Sequence, residues 1–310
     1  MGPSLTTASV AADRTPWRRL VRVVSLVRYR FFLYAGLLPY LLGAAWAYAI
    51  GGAFDATLFA CGLGGVVLSV IGVEAFNEYF DARMGTDRIF NPADLPPISD
   101  GVFWCGVVAF AAALAMGVYL AVQVGWPIIA FAVLGGMAAI FYEAPPVRWC
   151  YRGLGETVIG LAYGPWMVLG SLYLHTRALS WSAFAASLVP GLLIASLAVV
   201  NAIPDFHQDT LAGKRNLVVR LGRSRAVTLY LALAGAGLAI VAAGVALRLF
   251  PSQCLVALVA LPLLVASARR ARGTYETPRQ FLPAIRSIVA CYALAVTLFA
   301  VGVLLHGLAR

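Results

Sequence analysis

Charge is what this chain most lacks. Only 12% of its 310 residues are Asp, Glu, Lys or Arg, while 62% are hydrophobic. Soluble domains carry about 25% charged residues, so an ordinary water-soluble domain is excluded. There are only three histidines, and the five cysteines (Cys61, Cys105, Cys150, Cys254, Cys291) are scattered without a CxxC pair. That spacing speaks against a zinc or redox site and leaves the cysteines as small apolar residues. Ten-residue segments of alternating polarity are also missing, which excludes a membrane β-barrel. No cleavable signal peptide is expected, because the first 30 residues are polar and arginine-rich and the apolar stretch that follows is long enough to span a bilayer.

What remains is a polytopic all-α membrane protein. Nine apolar stretches are expected as transmembrane helices, near 31–50, 57–76, 102–123, 126–142, 154–174, 182–203, 225–247, 251–267 and 284–306. Thin separators divide two pairs of them, at Gly125-Trp126-Pro127 and Phe250-Pro251. The expected organisation is a basic, disordered N-terminus over 1–24 and one transmembrane domain over 25–310. With the N-terminus inside, 20 of the 23 Lys and Arg fall on inner segments, so the positive-inside rule places the N-terminus in the cytoplasm and the C-terminus outside. The net charge of +10 then sits against anionic lipid headgroups, and no nucleic acid is implied. Arg28 and Arg30 read as topogenic charges, with a ligand role as the alternative.

The 13 acidic residues are placed unexpectedly. Glu74, Glu78, Asp81, Asp87, Asp94 and Asp100 gather around the loop between the second and third stretches. Asp205 and Asp209 gather in NAIPDFHQDTLAGKRN. Both clusters lie at the inner end of a span. Asn77 and Asp81 are four residues apart, as are Asp205 and Asp209, so each pair shares a helix face. Pro204 is expected to kink the second helix, and Gly213 to end its turn before Lys214-Arg215. Either these are solvated loop carboxylates, or they converge on a cation. Two matched pairs on one face, each with basic followers, favour Mg²⁺ against a diphosphate, above a cavity for an apolar tail.

Three motifs in order resemble the UbiA superfamily of intramembrane polyprenyltransferases. The first is Asn77-Glu78-x-x-Asp81 with Gly85-Thr86-Asp87. The second is Phe141 to Glu156, FYEAPPVRWCYRGLGE. The third is Asp205-x-x-x-Asp209-x-x-x-Gly213-Lys214. The form of the first motif looks most like the branch that prenylates 1,4-dihydroxy-2-naphthoate for menaquinone. Glu78 stands where the family usually has Asp, and the following loop, RIFNPADLPPISDG, lacks the N-R-P-x-P-S-G form of other branches.

The resemblance implies nine helices around a central cavity, capped by cytoplasmic loops. It also implies Mg²⁺-dependent transfer of a polyprenyl group from an allylic diphosphate to an aromatic acceptor. Asn77, Asp81, Asp87, Asp205 and Asp209 become the metal-holding residues, and Tyr142 a catalytic one. Arg28, Arg83, Arg88, Arg148, Arg152, Asn201 and Lys214 become candidates for diphosphate or acceptor contacts. Phe76, Tyr79, Tyr142, Tyr163 and Trp166 are candidates to face an allylic cation. The expected partners are the two substrates and the bilayer, with no obligate protein partner. A lipid or sugar-phosphate acceptor, or acceptor-free cyclisation, stays open, and a secondary transporter is disfavoured because the acids gather at one face instead of the midplane. Gly62, Gly64, Gly65, Gly72 and the pair Gly135-Gly136 read as close helix-packing positions, and Pro39 and Gly43 as structural. The histidines His175, His207 and His306 read as incidental.

Overall fold

The computed structural model describes residues 30–51, 54–84 and 100–309. Among them every regular element is a helix. In chain order these are α1 (Arg30–Ala49), α2 (Ala56–Met84), α3 (Asp100–Val124), α4 (Pro127–Ile140), α5 (Gly155–Thr176) and α6 (Trp181–Ala202). Two short helices follow, α7 (Phe206–Leu211) and α8 (Leu217–Leu221), and then α9 (Arg223–Ala246), α10 (Ser252–Ala271) and α11 (Pro278–Leu308). Seven helices are long and apolar enough to cross a membrane: α2, α3, α5, α6, α9, α10 and α11. The expected stretches 31–50 and 126–142 correspond to shorter apolar helices, Ala35–Ala49 and Pro127–Ile140. The chain is thus a multi-pass membrane protein. Arg28, Asp87, Arg88, Asp94 and the segment 1–24 lie outside the described residues, as does the side chain of Asp81.

The two thin separators do divide their stretches. Gly125 takes φ +136° and Pro127 starts α4, where its missing N–H would have had no helical partner. Helix α5 is interrupted by a π turn at Ala162–Trp166 around Pro165, which cannot donate to the normal ladder. Helix α10 begins as a 3₁₀ helix, Ser252–Ala260. Pro204 does more than kink: α6 stops at Ala202 and α7 resumes at Phe206.

Helix α6 is the axis of the molecule, with 72% of its apolar stretch buried against 17% for α2. It packs on α5, α9 and α11, while α1 lies against α5 and α11, and α2 pairs with α3. The α5–α6 crossing is a backbone contact. A Cβ on Gly164 would lie 2.7 Å from Gly191 Cα, and one on Gly191 would lie 2.8 Å from Gly160 O. Helix α1 fits against α5 through Gly43, where a Cβ would run into the Val168 carbonyl oxygen. Pro39 cannot donate to the carbonyl of Ala35, and the buried Tyr292 hydroxyl on α11 donates to that oxygen at 2.9 Å instead. Pro39 and Gly43 are structural, as expected.

Candidate active site

Helices α2, α3, α4 and α5 enclose an apolar cavity of about 510 Å³. On α2 it is lined by Gly62, Gly65, Val66, Ser69, Val70, Val73 and Asn77, a single 3.6-residue stripe. Tyr40, Leu120, Ile128 and Leu174, members of a small buried cluster, line one end of the cavity. Asn77, the last lining residue on α2, and Tyr142, just past α4, line the other. Asp81 follows Asn77 one helical turn later.

Beside Tyr142 lies a buried charged knot. The Lys214 ammonium is 3.1 Å from Glu143 Oε1 and 3.8 Å from Asp209 Oδ1. Asn216 Nδ2 donates to Asp209 Oδ2 at 2.6 Å, and Asn216 Oδ1 accepts from the Val219 amide at 2.8 Å, capping α8. Glu156 Oε1 accepts from the Leu217 amide at 3.0 Å. These bonds join the segment 141–156 to the segment 209–220. Arg220 reinforces the join through the carbonyl oxygen of Arg152 (2.6 Å) and also donates to that of Arg215 in its own segment (2.8 Å). Gly153 makes the approach possible: it takes φ +71°, and a Cβ there would lie 2.5 Å from Arg220 Nε and 2.9 Å from Arg215 O.

The expected site residues separate into groups. Asp205, Asp209 and Lys214 do come together in one turn and its following loop: the Asp209 amide donates to Asp205 O, and the Lys214 amide to Asp209 O, both at 2.8 Å. Asp205 is exposed and Asp209 buried, so the four-residue pair does not act as two equal carboxylates. Asn201 lies one turn before Asp205, at the end of α6. Arg148 holds a left-handed backbone at φ 52°, with its guanidinium carbon 5.4 Å from the Tyr151 ring centroid. Lys214 Nζ is 5.8 Å from the same ring. Exposed Arg152 donates to Pro146 O at 3.2 Å. Arg83 is engaged elsewhere: it pairs with Asp100 at 2.9 Å and lies over Tyr79 at 4.4 Å.

Tyr142, Tyr163 and Trp166 line the cavity. Phe76 and Tyr79 instead pack on α3, with centroids 5.3 and 5.0 Å from the Phe103 ring. They belong to the α2–α3 interface and leave the set of cation-facing aromatics.

Sequence reasoning missed Glu143 and Asn216. Asn216 had a local signal, as it follows the Gly-Lys-Arg of the third motif. Glu143 had none beyond its adjacency to Tyr142, since its partner is 71 residues away.

The glycines also need sorting. A Cβ on Gly72 would lie 2.9 Å from the Phe110 ring, one on Gly64 3.3 Å from Met116, and one on Gly62 would strike the Tyr40 hydroxyl, so these are packing positions as expected. Gly65 meets only an ordinary 3.8 Å contact with Met116. Gly135 and Gly136 are not packing positions at all: nothing lies within 4 Å of a Cβ built at either. Two of the histidines fit the incidental reading, His207 being exposed and His306 half-buried; His175 differs, being buried and stacked on Phe54 at 5.0 Å.

Among the described residues, no three His, Cys, Asp or Glu side chains gather as a metal cluster. The donors present are nonetheless of the kind Mg²⁺ takes: the Asn77 amide oxygen and the Asp205 and Asp209 carboxylates are all hard oxygens. By donor chemistry these residues fit the ion.

Known proteins resemble this chain in sequence and in fold. The sequence profile of the UbiA prenyltransferase family matches residues 36–289. The 1,4-dihydroxy-2-naphthoate octaprenyltransferase of Mycobacterium tuberculosis is 31% identical over 233 residues, 71% of this chain and 76% of the relative. The 2-carboxy-1,4-naphthoquinone phytyltransferase of Synechocystis is 27% identical over 262 residues, 79% of this chain and 80% of the relative. In fold, the chain superposes on a UbiA homolog from Archaeoglobus fulgidus bound to DMAPP and Mg²⁺, with a TM-score of 0.55 at 17% identity, covering 91% of this chain and 99% of that one. With its profile match spanning most of the helical domain, the chain belongs to the UbiA prenyltransferase family.

Proposed function

We propose that this chain transfers a polyprenyl group from an allylic diphosphate to an aromatic acceptor of the 1,4-dihydroxy-2-naphthoate kind, within the membrane and with Mg²⁺. The observation that carries the reading is the apolar cavity that runs from the Tyr40–Leu174 end to Asn77 and Tyr142, beside the buried Glu143–Lys214–Asp209 knot. A diphosphate with a hydrocarbon tail needs both surfaces at once. The naphthoate relatives support the acceptor class. In this reading nine segments span the membrane, residues 25–310 form one domain, and the positive-inside count puts the N-terminus and the site on the cytoplasmic side.

Asn77, Asp81, Asp87, Asp205 and Asp209 would hold the ion. Mg²⁺, when bound, neutralises diphosphate charge and eases departure of the leaving group. Lys214 supplies positive charge at the same place, with Arg148, Arg152, Asn201 and the N-terminal Arg28 as further diphosphate or acceptor contacts. The allylic C–O bond breaks, and the Tyr142, Tyr163 and Trp166 rings at the cavity wall stabilise the resulting cation away from water. A C–C bond to the acceptor ring then forms, and the ring proton leaves to diphosphate or water.

The test is turnover of geranylgeranyl diphosphate by purified protein with Mg²⁺, with and without 1,4-dihydroxy-2-naphthoate, alongside Asp81→Ala and Asp205→Ala. A naphthoate-dependent prenyl product, lost in both variants, is expected. Diphosphate release without acceptor would replace transfer by cyclisation. No Mg²⁺-dependent turnover of any allylic diphosphate would overturn the enzyme reading.

A further inference from the structure

We propose that Gly135 and Gly136 determine the length of donor tail this enzyme accepts, by keeping the middle of the tail cavity open. The inference rests on the prenyl-transfer reading and names a specificity element within it. Both glycines line the cavity, and both meet open space where a side chain would begin. Glycine is the poorest helix former after proline, and two in succession in the 14-residue α4 weaken a short helix. Elsewhere in this molecule the helix glycines that line a tight crossing are explained by contact, as at Gly43 and Gly164. No such contact explains Gly135 and Gly136. What their missing side chains leave behind is volume.

The position along the cavity makes the prediction specific. Gly136 and Gly135 lie four and five residues back from Ile140, about 6–8 Å at 1.5 Å per residue. Ile128, at the far end, lies about 18 Å from Ile140 on the same scale. An extended isoprene unit is about 5 Å long, four zigzag bonds of about 1.5 Å. The enclosed length thus takes three to four units. A first isoprene unit stops short of the two glycines, and the second and later units must pass them. A leucine at either position therefore blocks long donors and spares the shortest one.

The experiment compares wild type, Gly135→Leu and Gly136→Leu with dimethylallyl and geranylgeranyl diphosphates, at fixed acceptor and Mg²⁺. Thermal unfolding is measured in parallel. Leucine improves helix propensity at a site with no close neighbour, so both variants fold, with an unfolding midpoint no lower than wild type. The ratio of kcat/KM for the long donor over the short one should fall at least tenfold, at the low end of the roughly 10–200-fold that a methylene-sized misfit produces. An unchanged ratio in both variants would overturn the inference and leave the enzyme reading standing. Equal loss of both donors in a folded variant would overturn it as well, because the glycines would then act on the whole site. If wild type turned over no allylic diphosphate of any length, the prenyl-transfer reading would fall and this inference with it.

Discussion

Replacing Glu143 by glutamine removes a carboxylate that faces a buried ammonium, and its cost can be worked from the geometry. The Lys214 and Glu143 side chains are 11% and 6% exposed and their charged atoms are 3.1 Å apart. Truncating one partner of a buried pair typically costs about 3–5 kcal/mol, because the other charge is left in a poor dielectric. Here Asp209 remains 3.8 Å from the same ammonium and keeps part of the compensation, which brings the expected cost to about 2–3 kcal/mol. For 310 residues, an unfolding entropy of about 2.1 cal/mol/K per residue converts this to a midpoint loss of roughly 3–5 °C. The assay is unfolding in detergent of Glu143→Gln, Lys214→Met and the double variant. The double variant should recover part of the loss, with a coupling of about 1–3 kcal/mol, and added salt should change it little, since a buried pair is poorly screened. A Glu143→Gln midpoint within 1 °C of wild type, or a coupling below about 0.5 kcal/mol, would refute the idea that this pair joins the two loop segments.

Arg83→Ala should change stability by no more than about 0.5 kcal/mol, because its pair with Asp100 is solvent-exposed, and should leave the KM for donor unchanged; a large rise in KM would put Arg83 back at the diphosphate. Tyr292→Phe leaves the Ala35 carbonyl without its donor and should cost about 1–3 kcal/mol, read as a lower unfolding midpoint with unchanged kcat. Asp205→Asn should cut turnover by about 10²-fold or more with little change in stability, whereas Asp209→Ala should cost both, since it also strips Asn216 of its buried acceptor; equal stability losses would contradict the exposed–buried division.

The helices were legible because membrane-spanning segments announce themselves by length and apolar content alone. Their interruptions were legible too, since Gly125-Trp126-Pro127 and Pro204 act on the local backbone. The join between Asp205, Asp209 and Lys214 could be read because all three sit within ten residues, where helix periodicity and Gly213 determine who meets whom. The pairing of Lys214 with Glu143 could not. Any of the acids was a formal candidate, and only the packing of the 141–156 segment on the 209–220 segment selects one.

Residues whose meaning is what surrounds them are the ones a sequence leaves ambiguous. Phe76 and Tyr163 are both aromatics near the motif ends of membrane helices. One stacks in the α2–α3 interface and the other faces the cavity, because α3 covers one flank of α2 and leaves the stripe through Asn77 free. Glycine is the extreme case. Its missing side chain permits contact at Gly43 and permits emptiness at Gly136, and nothing local distinguishes the two. The difference arises from the neighbour: α1 lies directly against α5, while α4 stands across a cavity from α2. The same absence that draws two helices together in one place leaves open space in another, so what a glycine does is written in the space between helices and not in any one of them.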